Sequence, residues 1–178
     1  MEKWIVVVDD EVLSLKNIKM LLSSDDMRVS CLKSGNDLLT FMSKNDPDII
    51  LMDIMMPQMD GFETYRRLEE KLAEEGKNMT PVIFLTGETD AERERDGLKL
   101  GASDYIHKPI DKQVLISRIE NIISNNKKIK SLEEDASTDK LTGFLNKTVG
   151  EEKITAMCEE NNGIFVILDL DNFKPVND

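Results

Sequence analysis

Residues 48–61, DIILMDIMMPQMDG, contain the clearest structural pattern in this chain. The nearly continuous apolar run at 48–52 predicts a strand covered on both faces, because a half-exposed strand would alternate apolar and polar residues. Asp53 follows this run directly. Asp60 and Gly61 then predict the start of a helix, because aspartate caps helix N-termini. The stretch predicts a buried strand, a carboxylate at its end and a helix beyond.

This strand and helix pattern repeats through the first two thirds of the sequence. Short apolar runs predict five strands, at residues 4–8, 27–32, 48–52, 81–85 and 104–106. The segments between them have helical spacing, and the fourth, residues 91–100, is followed by Gly101 as a C-cap. Strands that alternate with helices predict an α/β fold with a doubly wound, five-stranded parallel sheet flanked by helices. In such a sheet the functional site lies beyond the carboxyl ends of the strands.

Composition excludes several classes of function. The 178 residues carry a net charge of −12 and no Lys/Arg block, which argues against a nucleic-acid surface. No apolar run approaches the roughly 20 residues of a membrane span, and we expect no signal peptide. Cys31 and Cys158 fit no metal or redox spacing and are predicted to be buried free thiols. We therefore expect a cytoplasmic protein that binds neither nucleic acid nor membrane.

Charged and hydroxyl side chains follow four of the predicted strands. The acidic run 9–11 follows the first strand, Asp53 the third, Thr86 the fourth and Lys108 the fifth. Neighbouring parallel strands lie about 4.8 Å apart, so these groups are expected to meet at one edge of the sheet. Carboxylates this close repel each other unless a cation joins them, and a hard ion such as Mg²⁺ suits oxygen ligands. The set predicts a site for phosphoryl chemistry.

Four segments also carry a family resemblance. VVVDDE (6–11), DIILMDIMMPQMDG (48–61), FLTG (84–87) and GASDYIHKP (101–109) resemble the response-regulator receiver domain of two-component signalling, over about residues 3–125. The resemblance implies a flavodoxin-like receiver fold. It also implies that Asp53 accepts a phosphoryl group from a histidine kinase or phosphotransfer protein.

The resemblance assigns roles to further residues. Mg²⁺ would be held directly by Asp10 and Asp53, through water by Asp9, and by the backbone carbonyl of Met55. Lys108 would pair with the phosphoryl oxygens, and the Lys108–Pro109 peptide would be cis. Lys108 and the Thr86 hydroxyl would meet the phosphoryl charge added at Asp53.

Three more residues take part in the implied switch. The Thr86 hydroxyl would turn onto the phosphoryl group, and Tyr105 would swing inward with it. Glu88 resembles a position that tunes hydrolysis. Phosphorylation would thereby switch the face formed by the fourth helix, fifth strand and fifth helix. That face and the linker helix are candidates for a homodimer contact.

A long helix is predicted from Lys112 onward. Leu115, Ile122, Ile129 and Ala136 are spaced by seven, and Ile119 and Leu132 lie between them. This spacing favours a helix that leaves the first domain and pairs in a coiled coil. The alternative is a solvated surface helix with a frayed end.

The last segment resembles a second family. STDKLTGFLNK (137–147) and ILDLDNFKPVND (167–178) are similar to the opening of a GGDEF-type diguanylate cyclase domain. The resemblance implies that Asp169 and the Leu170 carbonyl bind Mg²⁺. It also implies that the backbone amides of Asn172 and Phe173 bind phosphate and that Asn177 contacts guanine. The 178 residues contain no GGDEF or GGEEF loop. We therefore expect an incomplete second domain whose cyclase-like residues are vestigial.

Three functions follow from these patterns. The favoured one is a receiver domain (1–125) that is joined by a helical linker (126–136) to the truncated start of a GGDEF-like domain (137–178) and controls a cyclase output. A functional diguanylate cyclase, making cyclic di-GMP from GTP, would require the remainder of that domain. A phosphohydrolase using Asp53 would need a general acid two residues later, where Met55 stands.

Overall fold

The computed structural model describes residues 2–23, 26–87, 100–137, 142, 144–146, 149–151 and 153–155. The chain forms two compact units, residues 1–128 and 129–178. Several predictions concern residues outside the described ranges: Cys158, Glu88, most of the predicted helix 91–100, and the cyclase-like set Asp169, Leu170, Asn172, Phe173 and Asn177.

The first unit contains the five predicted strands in a single parallel sheet, in the order β2-β1-β3-β4-β5. This confirms the doubly wound α/β fold. The described elements are β1 (Lys3–Val8), α1 (Val12–Leu21), β2 (Met27–Leu32), α2 (Gly35–Met42), β3 (Ile49–Asp53), α3 (Gly61–Glu74), β4 (Val82–Thr86), β5 (Asp104–His107) and α4 (Lys112–Ser137).

The strands β3, β4 and β5 each end one residue later than predicted. Asp53 and Thr86 are the last residues of β3 and β4 rather than the first residues of the loops. Asp53 is paired with Leu85, and Thr86 with His107. The sheet register therefore fixes the backbone of both residues.

The two faces of the sheet bury alternate residues of each strand. Val6, Val8, Ile50, Met52 and Phe84 belong to one core cluster, together with residues of α2 and α3. Their immediate neighbours along the strands, such as Val7 and Leu51, belong to a second cluster with residues of α1 and α4. Because both faces are covered, the strands are continuously apolar, as the sequence predicted.

The helix after β3 begins where the sequence placed it. Asp60 is the N-cap, and its Oδ1 accepts a hydrogen bond from the Glu63 amide at 2.8 Å. A Cβ added at Gly61 would lie 2.5 Å from the carbonyl oxygen of Asp53 and 3.0 Å from the Cα of Ile54. Only glycine fits this close approach, so the start of α3 is held directly against the end of β3.

Helix α4 is continuous from Lys112 to Ser137, in agreement with the predicted long helix. Leu115, Ile119 and Ile123 are buried in the core of the first unit. The predicted stripe had a spacing of seven residues and did not include Ile123. A helix packed on a sheet buries residues four apart, which accounts for the burial of Ile123 after Leu115 and Ile119. Ile129 and Leu132, in the second unit, are 53% and 67% exposed.

Two further findings concern the surface. Cys31 is exposed, so its predicted burial was wrong. It lies on β2, which is at one edge of the sheet formed by the described strands. None of the described helices combines the length and the apolar character that crossing a membrane requires.

Candidate functional site

Three charged side chains meet at the carboxyl end of the sheet. Lys108 Nζ lies 2.9 Å from Asp9 Oδ2 and 2.6 Å from Asp53 Oδ1. Asp9 is 1% exposed and Asp53 is 7% exposed. The site is therefore a lysine ammonium shared between two buried carboxylates, which we call the Asp9–Lys108–Asp53 triad.

The topology of the sheet brings the triad together. β1 and β3 are neighbours, so Asp9, just after β1, and Asp53, at the end of β3, lie side by side. This is the point where the strand order reverses, the usual binding crevice of such a sheet. Lys108 arrives from β5, and its backbone N–H donates to the Thr86 carbonyl at 2.8 Å. The peptide between Lys108 and Pro109 is cis, as the resemblance implies.

Both oxygens of the Asp9 carboxylate accept hydrogen bonds. Oδ1 accepts from the Glu11 amide at 2.9 Å, and Oδ2 accepts from the Ser14 hydroxyl at 2.5 Å. Ser14 is in the first turn of α1 and was not identified from the sequence. Its position, five residues after Asp9 at the start of a helix, was the only signal available.

Burial and hydrogen bonding act in opposite directions on the pKa values of Asp53 and Lys108. Burial raises the pKa of Asp53, the neighbouring Asp9 charge adds to this, and hydrogen bonds from Lys108 and the Met55 amide oppose it. Burial alone would lower the pKa of Lys108, but its hydrogen bonds to Asp53 and Asp9 hold that pKa above its usual value. Lys108 is therefore a cation at neutral pH.

Two predicted metal ligands lie close to the triad in sequence: Asp10 follows Asp9, and Met55 is two residues after Asp53. Asp10 is exposed, and the structure shows no hydrogen bond or ion pair to its side chain from any described residue. The Met55 side chain is exposed, and its amide donates to the Asp53 carboxylate. The described residues include no group of three His, Cys, Asp or Glu side chains placed to hold a metal ion.

That finding is compatible with the predicted ligand set. Asp10, Asp53 and the Met55 carbonyl supply only two carboxylates and one backbone oxygen. Mg²⁺ is commonly bound by one or two carboxylates, and it keeps several waters. The donor chemistry of these residues fits Mg²⁺.

The two predicted switch residues lie outside the triad, Thr86 at the carboxyl end of β4 and Tyr105 within β5, where it is paired with Phe84. Thr86 is buried, and its hydroxyl donates to the Gly87 carbonyl at 3.1 Å. Among the described residues, no hydrogen bond joins this hydroxyl to a side chain of the triad. Tyr105 is buried on β5, and its ring centroid lies 5.5 Å from that of Phe84. Tyr105 is thus in an inward position.

Comparisons with known proteins point to one family. A family model of the response regulator receiver domain matches residues 5–120. Among solved structures, a response regulator receiver domain protein from Clostridium thermocellum is 32% identical, with a TM-score of 0.63 over 71% of this chain and 98% of that one. The receiver domain of Francisella response regulator 1452 is 28% identical, with a TM-score of 0.61 over 70% and 99% of the two chains. The DrrB receiver domain in a BeF₃-activated form is 31% identical, with a TM-score of 0.59 over 70% and 99%.

Proposed function

This chain belongs to the response regulator receiver domain family, and we propose that it accepts a phosphoryl group on Asp53 from a histidine kinase or phosphotransfer protein. The single observation that supports this most strongly is the 2.6 Å contact between Lys108 and the buried Asp53 carboxylate. We propose that the exchange takes place in the cytoplasm, a reducing compartment that suits the free, exposed thiol of Cys31.

The residues of the site have distinct tasks in this transfer. An oxygen of Asp53 attacks phosphorus, and the bond from phosphorus to the donor's leaving group breaks, with its electron pair remaining on the leaving group. Lys108 keeps its protons and exchanges its contact with Asp53 for one with a phosphoryl oxygen. Asp9 holds the other side of Lys108 during the exchange. Thr86 turns its hydroxyl from the Gly87 carbonyl to the phosphoryl group, with Tyr105 inward beside it.

Asp10, Asp53 and the Met55 carbonyl are the proposed magnesium ligands, with Asp9 acting through water. Mg²⁺, when bound there, supplies positive charge that offsets the charge of the incoming phosphoryl group. Glu88 is proposed to tune hydrolysis of the phosphorylated form.

Removing magnesium is expected to suppress phosphorylation. With acetyl phosphate as donor, we expect uptake of phosphate at least about tenfold slower in excess EDTA than in Mg²⁺, because two adjacent carboxylates would otherwise repel the phosphoryl group. Intact-mass spectrometry over time measures the phosphorylated fraction. Restoring excess Mg²⁺ to the EDTA sample is the control. Equal rates with and without EDTA would contradict the proposed metal site.

We propose that the receiver controls a diguanylate cyclase output beginning near residue 137. The supporting observation is that segments 137–147 and 167–178 resemble the opening of a GGDEF-type domain. The same proposal places the receiver at residues 1–125 and the linker at residues 126–136. The cyclase-like residues Asp169, Leu170, Asn172, Phe173 and Asn177 keep their predicted roles only within a complete cyclase domain. The face formed by the fourth helix, fifth strand and fifth helix is proposed, together with the linker helix, as a homodimer contact. The exposed Ile129 and Leu132 support the part of this proposal that concerns the linker.

The 178-residue chain itself is expected to make no detectable cyclic di-GMP. It contains no GGDEF or GGEEF loop, so part of the motif set of that family is missing from it. Chromatography of a reaction with GTP and Mg²⁺, before and after treatment with acetyl phosphate, measures this. Steady formation of cyclic di-GMP would favour the cyclase alternative for this chain.

A further inference from the structure

The hydroxyl of Ser14 contacts Asp9 of the triad, although Ser14 has no role in the proposed transfer. Ser14 Oγ donates to Asp9 Oδ2 at 2.5 Å, and the same oxygen accepts from Lys108 Nζ at 2.9 Å. The Glu11 amide holds the other oxygen of Asp9. Both oxygens of the Asp9 carboxylate are therefore held in place. A backbone amide holds Oδ1, and the Ser14 side chain, which a mutation can remove, holds Oδ2.

Fixing Asp9 matters because Asp9 is 1% exposed. Bulk water cannot readily replace a lost donor at such a group, so the loss of one would leave a buried carboxylate oxygen with less support. The carboxylate would then be able to rotate about the bond to its Cβ. Lys108, whose side chain is 32% exposed, would lose a defined partner on one side of its ammonium group.

We propose that Ser14 is a positioning residue of the phosphoryl-transfer site: its hydroxyl fixes Asp9 Oδ2 so that Lys108 Nζ is held against Asp53 Oδ1. This inference rests on the proposed function for its effect on rate. Ser14 keeps its proton throughout and touches neither the phosphoryl group nor Asp53. It acts only through Asp9 and Lys108.

Three variants separate the hydroxyl from the packing of the side chain. Ser14→Ala removes the donor, while Ser14→Thr keeps it and adds one methyl group at the wall of an open cavity of about 350 Å³ that Ser14 lines. Ser23→Ala is the matched control, because the Ser23 hydroxyl donates to the Lys19 carbonyl at the exposed far end of the same helix. Phosphorylation by acetyl phosphate in Mg²⁺ is followed by intact mass.

We expect Ser14→Ala to be phosphorylated about fivefold or more slowly, as for a lost hydrogen bond to a charged group. Ser14→Thr and Ser23→Ala should stay within about twofold of wild type. Loss of rate in Ser14→Thr equal to that in Ser14→Ala would overturn the proposal, because the hydroxyl would then not be the active feature. A wild-type rate in Ser14→Ala would overturn it as well.

A second measurement needs no phosphoryl donor. The ¹³Cε resonance of Lys108, assigned by its absence in Lys108→Met, reports the surroundings of the ammonium group. We expect it to shift in Ser14→Ala and to keep its wild-type position in Ser14→Thr. An unchanged resonance in Ser14→Ala would overturn the positioning role. This comparison decides the role of Ser14 even if wild type takes up no phosphate, the result that would contradict the proposed function instead.

Discussion

Replacing Asp53 by asparagine is expected to abolish phosphate uptake from acetyl phosphate in Mg²⁺. The amide has almost the shape of the carboxylate, but it is not a nucleophile and cannot form the acyl phosphate. We expect the rate to fall by at least about a hundredfold, which is the loss expected when the attacking group itself is removed. Intact-mass spectrometry of wild type and Asp53→Asn under identical conditions gives the comparison.

The fold of Asp53→Asn should survive the substitution. In the wild type, burial and the nearby Asp9 charge raise the pKa of Asp53, so its ionised form is held at a cost. A neutral amide removes that cost, while it also weakens the contact with Lys108. We therefore expect a melting temperature close to that of wild type, which separates loss of chemistry from loss of structure.

Asp46→Asn is the matched control for this experiment. Asp46 is exposed and precedes β3, whereas Asp53 is the last residue of the same strand. It should be phosphorylated at the wild-type rate. Phosphate uptake in Asp53→Asn equal to that of wild type would assign the phosphoacceptor to another residue and would contradict the proposed function.

The fold was predictable because strands that are buried on both faces have continuously apolar sequences. Residues such as Ile50 and Leu51 lie on opposite faces, yet both are fully buried, so the run is apolar throughout. The ends of the strands were harder to place. Asp53 and Thr86 are polar, so hydropathy assigns them to loops, but backbone pairing with the adjacent strand keeps them inside β3 and β4.

The membership of the site was predictable to a similar degree. Asp9, Asp53 and Lys108 were expected at one edge of the sheet because parallel strands end together, and the structure brings them into contact. Ser14 was not predicted, because a serine early in a helix is usually solvated, and only the direction of its side chain brings it to Asp9. Thr86 was expected near the same edge, but its hydroxyl bonds locally to Gly87 in this structure.

Replacing Lys108 by methionine is expected to destabilise the protein, and the loss should depend on pH. Lys108 is the cation between two buried carboxylates, and removing it leaves Asp9 and Asp53 facing each other. Breaking a buried charge pair costs about 3–5 kcal/mol, and the partial exposure of Lys108 reduces this to about 2 kcal/mol near pH 7.

The sign of the pH dependence follows from Asp53. Its pKa is already raised by burial, and loss of the Lys108 hydrogen bond and charge would raise it further. A carboxyl group with a raised pKa binds its proton more tightly in the folded state, so stability falls as pH rises from the ordinary aspartate pKa to the raised one. In Lys108→Met the pH interval between the ordinary aspartate pKa and the raised pKa of Asp53 is wider than in wild type. The loss relative to wild type should therefore be smaller near pH 5 than near pH 7.

Urea unfolding of wild type and Lys108→Met at both pH values, with EDTA present, measures the two losses. Lys127→Met is the matched control. Among the described residues Lys127 pairs only with Asp48, at 3.4 Å in a partly exposed contact, and its loss should change stability by less than about 0.5 kcal/mol at either pH. If Lys108→Met lost the same stability at both pH values, the cause would be altered packing. A loss that shrinks on acidification is expected only if the Lys108 charge compensates the Asp9 and Asp53 carboxylates.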